Sequence, residues 1–281
     1  MIGQAERILE LRKLQGLHTG TDSQKIFTFV SGKGGTGKTF LSLNLAYALA
    51  EQGKKILYLD IDTNFSNANI MLNVVAKKTI YDVFMERKLL KDVITIFNPN
   101  LHFVFGDSGK LNYPELHEGI IAKLFAQISS LHQHYDYIFI DTGTGVGDSV
   151  MNILSKSNSV IIVTSPEPTA VMDSYVILKL LASVNYEGDK LIIVNKCITE
   201  EDGQMTFKNL STAAGHFLKD VLSYLGDVNF DMQVNQSIIA QELLLEKHPE
   251  LPISKQIRNL TGSLTEFTHM ANIHQKQLNQ L

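Results

Sequence analysis

Eight consecutive residues, Gly32-Lys33-Gly34-Gly35-Thr36-Gly37-Lys38-Thr39, carry the clearest chemistry in the chain. Glycines at this spacing let the backbone turn so that its N–H groups converge on an anion. Lys38 is placed to reach the β- and γ-phosphates of a nucleotide, and the Thr39 hydroxyl suits Mg²⁺. Such a loop needs a strand before it and a helix after it. The apolar run Ile26-Phe27-Thr28-Phe29-Val30-Ser31 and the helical pattern from Phe40 to Ala50 supply both. The helix would point its positive N-terminal end at the same anion.

Two further stretches place carboxylates where strands end. Asp60 and Asp62 close the apolar run 55–61, at i and i+2, and so share one face of a strand end, where α/β sheets bind ligands. The stretch continues to Asn67 and Asn69, and an Asx-rich turn stabilising its own backbone is the competing reading, above all for Asp60. Tyr137-Ile138-Phe139-Ile140-Asp141 has four apolar residues and a terminal carboxylate suited to holding Mg²⁺ through a water. Gly143, Gly145 and Gly147 follow, and Gly145 would let a backbone N–H approach the γ-phosphate. Asn195-Lys196 ends another apolar run, and the Asn side chain offers both a donor and an acceptor.

These residues need a sheet to hold them. Short, continuously apolar runs recur at 55–61, 101–105, 135–141, 159–165 and 190–195, as strands buried on both faces do. Helical patterns lie between them, for example at 118–132 and 171–184. The alternation predicts an α/β fold, a single P-loop NTPase domain with a mainly parallel twisted sheet flanked by helices on both faces. The organisation expected is an N-terminal helix at 1–17, a polar linker at 18–24, the phosphate-binding domain at 25–260 and an amphipathic helix at 261–281. A chain of 281 residues, 44% hydrophobic and 19% charged, is long enough for one such core. Its net charge of −4 gives no basic field for nucleic acid, and none is expected as a partner. The single cysteine, Cys197, excludes a disulfide framework or a cysteine metal cage, and the nine histidines show no ligand spacing. No apolar run reaches membrane-spanning length and no signal peptide is visible, so a cytoplasmic location is expected.

Lys33, directly after the first glycine, has no role in an ordinary phosphate loop. Together with the residues around it, it resembles the deviant Walker A loop of the MinD/ParA ATPases, K-G-G-x-G-K-T. The resemblance runs over nearly the whole span 25–260. It implies binding and hydrolysis of ATP with Mg²⁺, slow and partner-stimulated, in a nucleotide-sandwich homodimer. In that arrangement Lys33 crosses to the partner's phosphates and acts with Lys38 and Asp62 in catalysis. Asp62 orients or deprotonates the attacking water, and Thr39 and Asp141 hold the metal. Asp60, Asn67 and Gly145 belong to the switches and the dimer contact. Residues 163–174, from Val163 through Pro166-Glu167-Pro168-Thr169 to Asp173-Ser174, also match a MinD-like segment, in which the prolines fix a loop and Thr169 can cap the next helix. Asn195, with Lys196, would read the adenine edge, and Leu225–Val234 resembles a later loop flanking the base.

Within this family the N-terminal residues resemble the D-Q-A-x-x-L-R segment of the flagellar-number regulators, the FlhG/FleN/YlxH group. Gln4 and Ala5 match, Gly3 stands where Asp is usual, and Ile8-Leu9 where Leu-Arg is usual. The resemblance implies docking of an SRP-type flagellar GTPase through Gln4, Ala5, Arg7, Ile8 and Leu9. Flagellar switch or transcription-regulator proteins are further partners of such a regulator. A helix packing on the core is the structural alternative for this segment. At the other end Leu264, Phe267, Leu278 and Leu281 fall on one helical face. That face serves equally a weak, peripheral association with the inner side of the cell membrane or a last helix covering the core. The function implied is a nucleotide-switched regulator of flagellum number and placement. A MinD division-site switch and a ParA-like DNA partition ATPase are the alternatives.

Overall fold

The computed structural model describes residues 25–62, 66–107, 110 and 113–278. The expected docking helix and linker, with Gln4, Ala5, Arg7, Ile8 and Leu9, lie outside these residues, as do Leu281 and the side chain of Leu278. The elements in chain order begin with β1 (Lys25–Val30), α1 (Lys38–Glu51), β2 (Ile56–Asp60), α2 (Ala68–Met71) and α3 (Ile80–Phe84). They continue with β3 (Thr95–Asn98), β4 (Leu101–Val104), α4 (Glu118–Ser130), β5 (Tyr137–Asp141), α5 (Asp148–Leu154), β6 (Ser159–Thr164) and α6 (Pro168–Ser183). The last are β7 (Asp189–Cys197), α7 (Asp202–Ala213), β8 (Ser223–Asn229), α8 (Met232–Ala240), α9 (Leu244–Lys247) and α10 (Pro252–Leu278).

The strands form one sheet in the order β3-β4-β2-β5-β1-β6-β7-β8, parallel except for β3. Its central strands are apolar on both faces because helices cover both. Phe27 and Phe29 of β1, Tyr58 of β2 and Phe139 of β5 point to the layer that holds α1 and α10. Ile26, Leu57, Leu59, Ile138 and Ile140 point to the opposite layer, against α3 and α4. Val30, Ile162, Ile192 and Val194 extend that second layer under α6 and α7. The strands that carry the candidate residues, β1, β2 and β5, are therefore the most deeply held part of the molecule.

Three features differ from the sequence reading. Leu225–Asn229, expected as part of a loop, belongs to β8. Gly226 at φ 140° shifts the register there and breaks the alternation that would mark a strand. The short edge strand β3 pairs antiparallel to β4 and, being only partly buried, lacks the continuous apolar run of the inner strands. The boundary expected at 260/261 falls inside one continuous helix, α10. Leu264 is completely buried and Phe267 packs against the same cluster, so this part of the helix is core. Thr261 accepts a hydrogen bond from Gln52 at 2.8 Å and Arg258 pairs with Glu51 at 2.9 Å, which fastens α10 to the C-terminal end of α1. Among the described residues no helix is long and apolar enough to cross a membrane.

Candidate nucleotide site

The loop from Gly32 to Gly37 leaves β1 at the C-terminal edge of the sheet and enters α1. Gly37 is the N-cap residue of α1 at φ 89°, and Gly35 sits at φ 80°, conformations that favour glycine. Gly37 is also crowded, since a Cβ there would come within 2.2 Å of the Asn195 amide nitrogen. A Cβ on Gly32 would meet Asp173 at 2.5 Å. Gly34 and Gly35 face open space. The loop is thus packed where it joins the fold and open where an anion would lie.

Lys38 and Thr39, the first residues of α1, both turn to Asp141 at the end of β5. Lys38 Nζ lies 2.5 Å from Asp141 Oδ1 and also donates to the Thr142 carbonyl. Thr39 Oγ1 donates to Asp141 Oδ2 at 2.6 Å. The side chains of Lys38 and Asp141 are only 5% and 2% exposed, so this is a buried pair with each charge compensated by the other. The Thr142 hydroxyl donates to the Phe29 carbonyl at 2.9 Å, and the Gly145 N–H to the Ser31 carbonyl at 3.0 Å. These bonds tie the segment after β5 to the start of the loop.

Asp60 stands beside Asp141 in register on β2. Its carboxylate accepts from the Ser66 hydroxyl at 2.7 Å, the Ala68 N–H at 3.1 Å and the Asp62 N–H at 3.2 Å. It therefore organises the turn that follows β2, as the Asx-turn reading expects, while facing the metal-side carboxylate. Burial, and then the negative charge of Asp141, raise its pKa to about 6, against the lowering effect of Ser66, Ala68 and Lys38. The Asp62 carboxylate lies over Gly143, where an added Cβ would be 3.3 Å from its Oδ1. Asn67 is exposed at the N-cap position of α2 without a side-chain capping bond.

Lys33 lies on the outer rim. Its ammonium pairs with Glu167 at 2.6 Å and donates to Thr169 Oγ1 at 3.3 Å, while its side chain stays 44% exposed. The Lys33 hydrogen bond, and then its charge, hold the Glu167 carboxyl below the usual range. Asn195, expected at the base, donates its amide to the Thr36 carbonyl at 2.7 Å and so braces the loop from β7. Lys196 is exposed beside it at φ 62°.

The groups present fit a magnesium nucleotide. The Thr36 hydroxyl is buried in the loop with no hydrogen-bond partner among the described residues, an uncompensated polar atom of the kind a bound ligand satisfies. Loop N–H groups, a lysine, a hydroxyl and a carboxylate are the donor set that phosphate and a hard cation require. Sequence reasoning brought the loop, Asp62 and Asp141 to one place. It missed Glu167 and Thr169 as partners of Lys33, and it missed Tyr58. That residue is fully buried with its hydroxyl 2.8 Å from Ser42 Oγ. Burial and then the nearby Asp141 and Asp60 charges push the Tyr58 hydroxyl well above the ordinary range.

Residues 24–194 match the family model AAA_31, described as an AAA domain. The chain is 28% identical over 248 residues to the antiactivator FleN of Pseudomonas aeruginosa, covering 88% of this chain and 89% of that one. It is 27% identical over 268 residues to the flagellum site-determining protein YlxH of Helicobacter pylori, covering 94% and 90%. Among solved structures, the septum site-determining protein MinD of Pyrococcus horikoshii, complexed with Mg-ADP, shares the fold with a TM-score of 0.71. The identity there is 24%, over 88% of this chain and 98% of that one.

Proposed function

The chain belongs to the AAA_31 family and is a MinD/ParA-type P-loop ATPase of the FleN/YlxH kind, and from this premise we propose that it regulates flagellum assembly as an ATP-dependent dimeric switch. The observation that carries the switch is the placement of the two loop lysines. Lys38 is buried on Asp141, within the cluster of its own protomer. Lys33 is exposed on the rim and contributes nothing to the buried cluster, so its use lies outside its own site.

In this reading Lys38 turns from Asp141 to the β- and γ-phosphates, and the loop N–H groups and the Thr36 hydroxyl surround them. Thr39 and Asp141 are the residues that would hold Mg²⁺, which would neutralise phosphate charge. Asp62 orients the attacking water from its position over Gly143. Lys33 leaves Glu167 for the phosphates of the facing protomer, where it offsets charge that develops during hydrolysis. Asp60, Asn67 and Gly145 couple the nucleotide to the dimer face, and Asn195 with Lys196 borders the base. Hydrolysis removes the γ-phosphate that Lys33 needs, and the dimer separates.

The flagellar assignment rests on the near full-length match to the two flagellar relatives. It carries with it an SRP-type GTPase as the partner of residues 4–9, and a cytoplasmic protein that attaches peripherally to the inner membrane face. Light scattering of the Asp62→Ala variant tests the switch. We expect the mass of a dimer with ATP and Mg²⁺ and the mass of a monomer with ADP. A monomer that has ATP bound at micromolar protein overturns it. Unaltered flagellar number and position in cells carrying Lys38→Ala would overturn the flagellar role.

A further inference from the structure

The segment 75–96 reverses the charge balance of the chain. It holds five Lys/Arg and three Asp/Glu, whereas the whole chain holds 25 and 29. It runs through α3 and a short helical turn at Leu90–Val93 into β3, the edge strand of the sheet. Lys78 donates to the Asp92 carbonyl at 2.9 Å, which brings Lys77 and Lys78 beside that turn. Three apolar side chains stand uncovered among these charges. Val75 is 90% exposed, Ile96 69% and Leu89 52%. At Leu89 a groove of about 600 Å³ opens between α3 and α4. Val83, Phe84, Leu89, Ile120 and Leu124 give it an apolar lining, and Arg87, Lys88 and Lys123 stand around it with Glu86 and Asp92. Glu86 is taken up by Lys123 at 2.5 Å, so Arg87 and Lys88 outweigh Asp92.

Single exposed apolar residues are ordinary on a protein surface, but apolar residues gathered at a groove with a basic rim are not. An anionic bilayer satisfies both halves of this arrangement. Its phosphates face the Lys and Arg head groups, while the stems of those side chains, with Leu89 and Ile96, reach the apolar depth beneath. Leu264 and Phe267, half of the stripe expected to meet a membrane, are turned to the core instead. We propose that the β3 edge, centred on Lys88, Leu89 and Lys91 and including the groove between α3 and α4, is the surface by which the chain docks on an anionic phospholipid membrane. The nucleotide loop leaves the C-terminal edge of the strands, so a chain docked by its β3 flank keeps that loop open. The proposal rests on the reading of the protein as peripherally membrane-attached.

The test is co-sedimentation of the full chain, with ATP and Mg²⁺, on vesicles of phosphatidylglycerol and phosphatidylcholine in equal parts and on vesicles of phosphatidylcholine alone. Lys88→Gln with Lys91→Gln is expected to weaken binding to the anionic vesicles about tenfold. Leu89→Ser is expected to weaken it about threefold. Both variants should keep the melting temperature and nucleotide binding of the unaltered chain. Raised salt should erase the difference made by the two lysines and keep the one made by Leu89. Unchanged vesicle binding in both variants overturns the proposal, and so does equal binding of the unaltered chain to the two kinds of vesicle. Binding of poly-glutamate as tight as that of anionic vesicles, lost in the double variant, assigns the edge to an acidic protein and overturns it too. Weaker binding that comes with a lower melting temperature in both variants assigns the residues to the fold and likewise overturns it. Failure of the unaltered chain to sediment with either vesicle defeats the membrane reading itself, and this proposal with it.

Discussion

Lys38 Nζ and Asp141 Oδ1 are 2.5 Å apart in a space almost closed to water. Removing one partner of such a pair leaves an uncompensated buried charge, a loss of about 3–5 kcal/mol. Lys38→Ala should therefore lower stability as well as abolish nucleotide binding. The double variant Lys38→Met with Asp141→Asn should recover most of the stability and none of the binding. Denaturant unfolding beside a nucleotide titration separates the two effects. Equal unfolding midpoints for Lys38→Ala and the unaltered chain would contradict the pairing.

Lys33 should behave in the opposite way. Its pair with Glu167 is solvated, and solvated pairs contribute little to stability. We expect Lys33→Ala to leave the melting temperature and monomer nucleotide binding close to their starting values while abolishing the ATP-dependent dimer. Glu167→Gln releases Lys33 and should favour the dimer at lower protein concentration. Sedimentation velocity across a concentration series checks both, and a Lys33→Ala dimer of normal strength would remove the lysine from the interface.

Asp60 gives a pH dependence with a definite sign. Its carboxyl holds a proton up to about pH 6 in the folded chain, above its unfolded range. Folded protein then binds more protons than unfolded protein between about pH 4 and pH 6, so stability attributable to Asp60 falls as pH rises through that window. The loss is on the order of 2–3 kcal/mol for a shift of this size. Asp60→Asn should gain on the unaltered chain across the same window. Urea unfolding of both at pH 4.5 and 7 measures the difference, and a constant gap between them would exclude the linkage.

The C-terminal helix is expected to respond as core up to Phe267. Leu264 is completely buried against the layer that covers α1, and Leu264→Ala should cost about 2–5 kcal/mol. Phe267→Glu places a charge against the same cluster and should lower the melting temperature. Co-sedimentation with anionic liposomes then reports on membrane attachment separately. A Phe267→Glu protein of unchanged melting temperature that no longer sediments would assign the residue to the membrane instead.

The site was legible in the sequence where its chemistry is contiguous. The loop from Gly32 to Thr39 announces itself because backbone turning, phosphate charge and metal preference all act within eight neighbouring residues. Asp141 was legible because an apolar strand ends at it, and Asp62 because it follows two residues after the end of another. The partners were not. Lys33 and Glu167 are 134 positions apart, and only the parallel order of β1 and β6 brings the two loops together. Tyr58 looked like one more apolar residue of β2, because a hydroxyl inside a buried strand leaves no periodic mark. The strand β8 was lost to the glycine at its centre, which suits a turn by composition and a strand by context.

The attachment of α10 to α1 also has a consequence for biosynthesis. The nucleotide loop is made early, but β1 finds its neighbours β5 and β6 only after residue 164 exists. The helix that carries Lys38 is covered last, by α10, whose Ile257, Leu260 and Leu264 join a cluster with Leu41, Leu45 and Leu49. A chain released before α10 is complete would carry every residue of the phosphate loop and still present that leucine face of α1 to water. Exposed apolar surface of this kind makes an incompletely folded species prone to aggregation. The core layer over α1 is therefore closed only in a chain whose translation has passed Leu264.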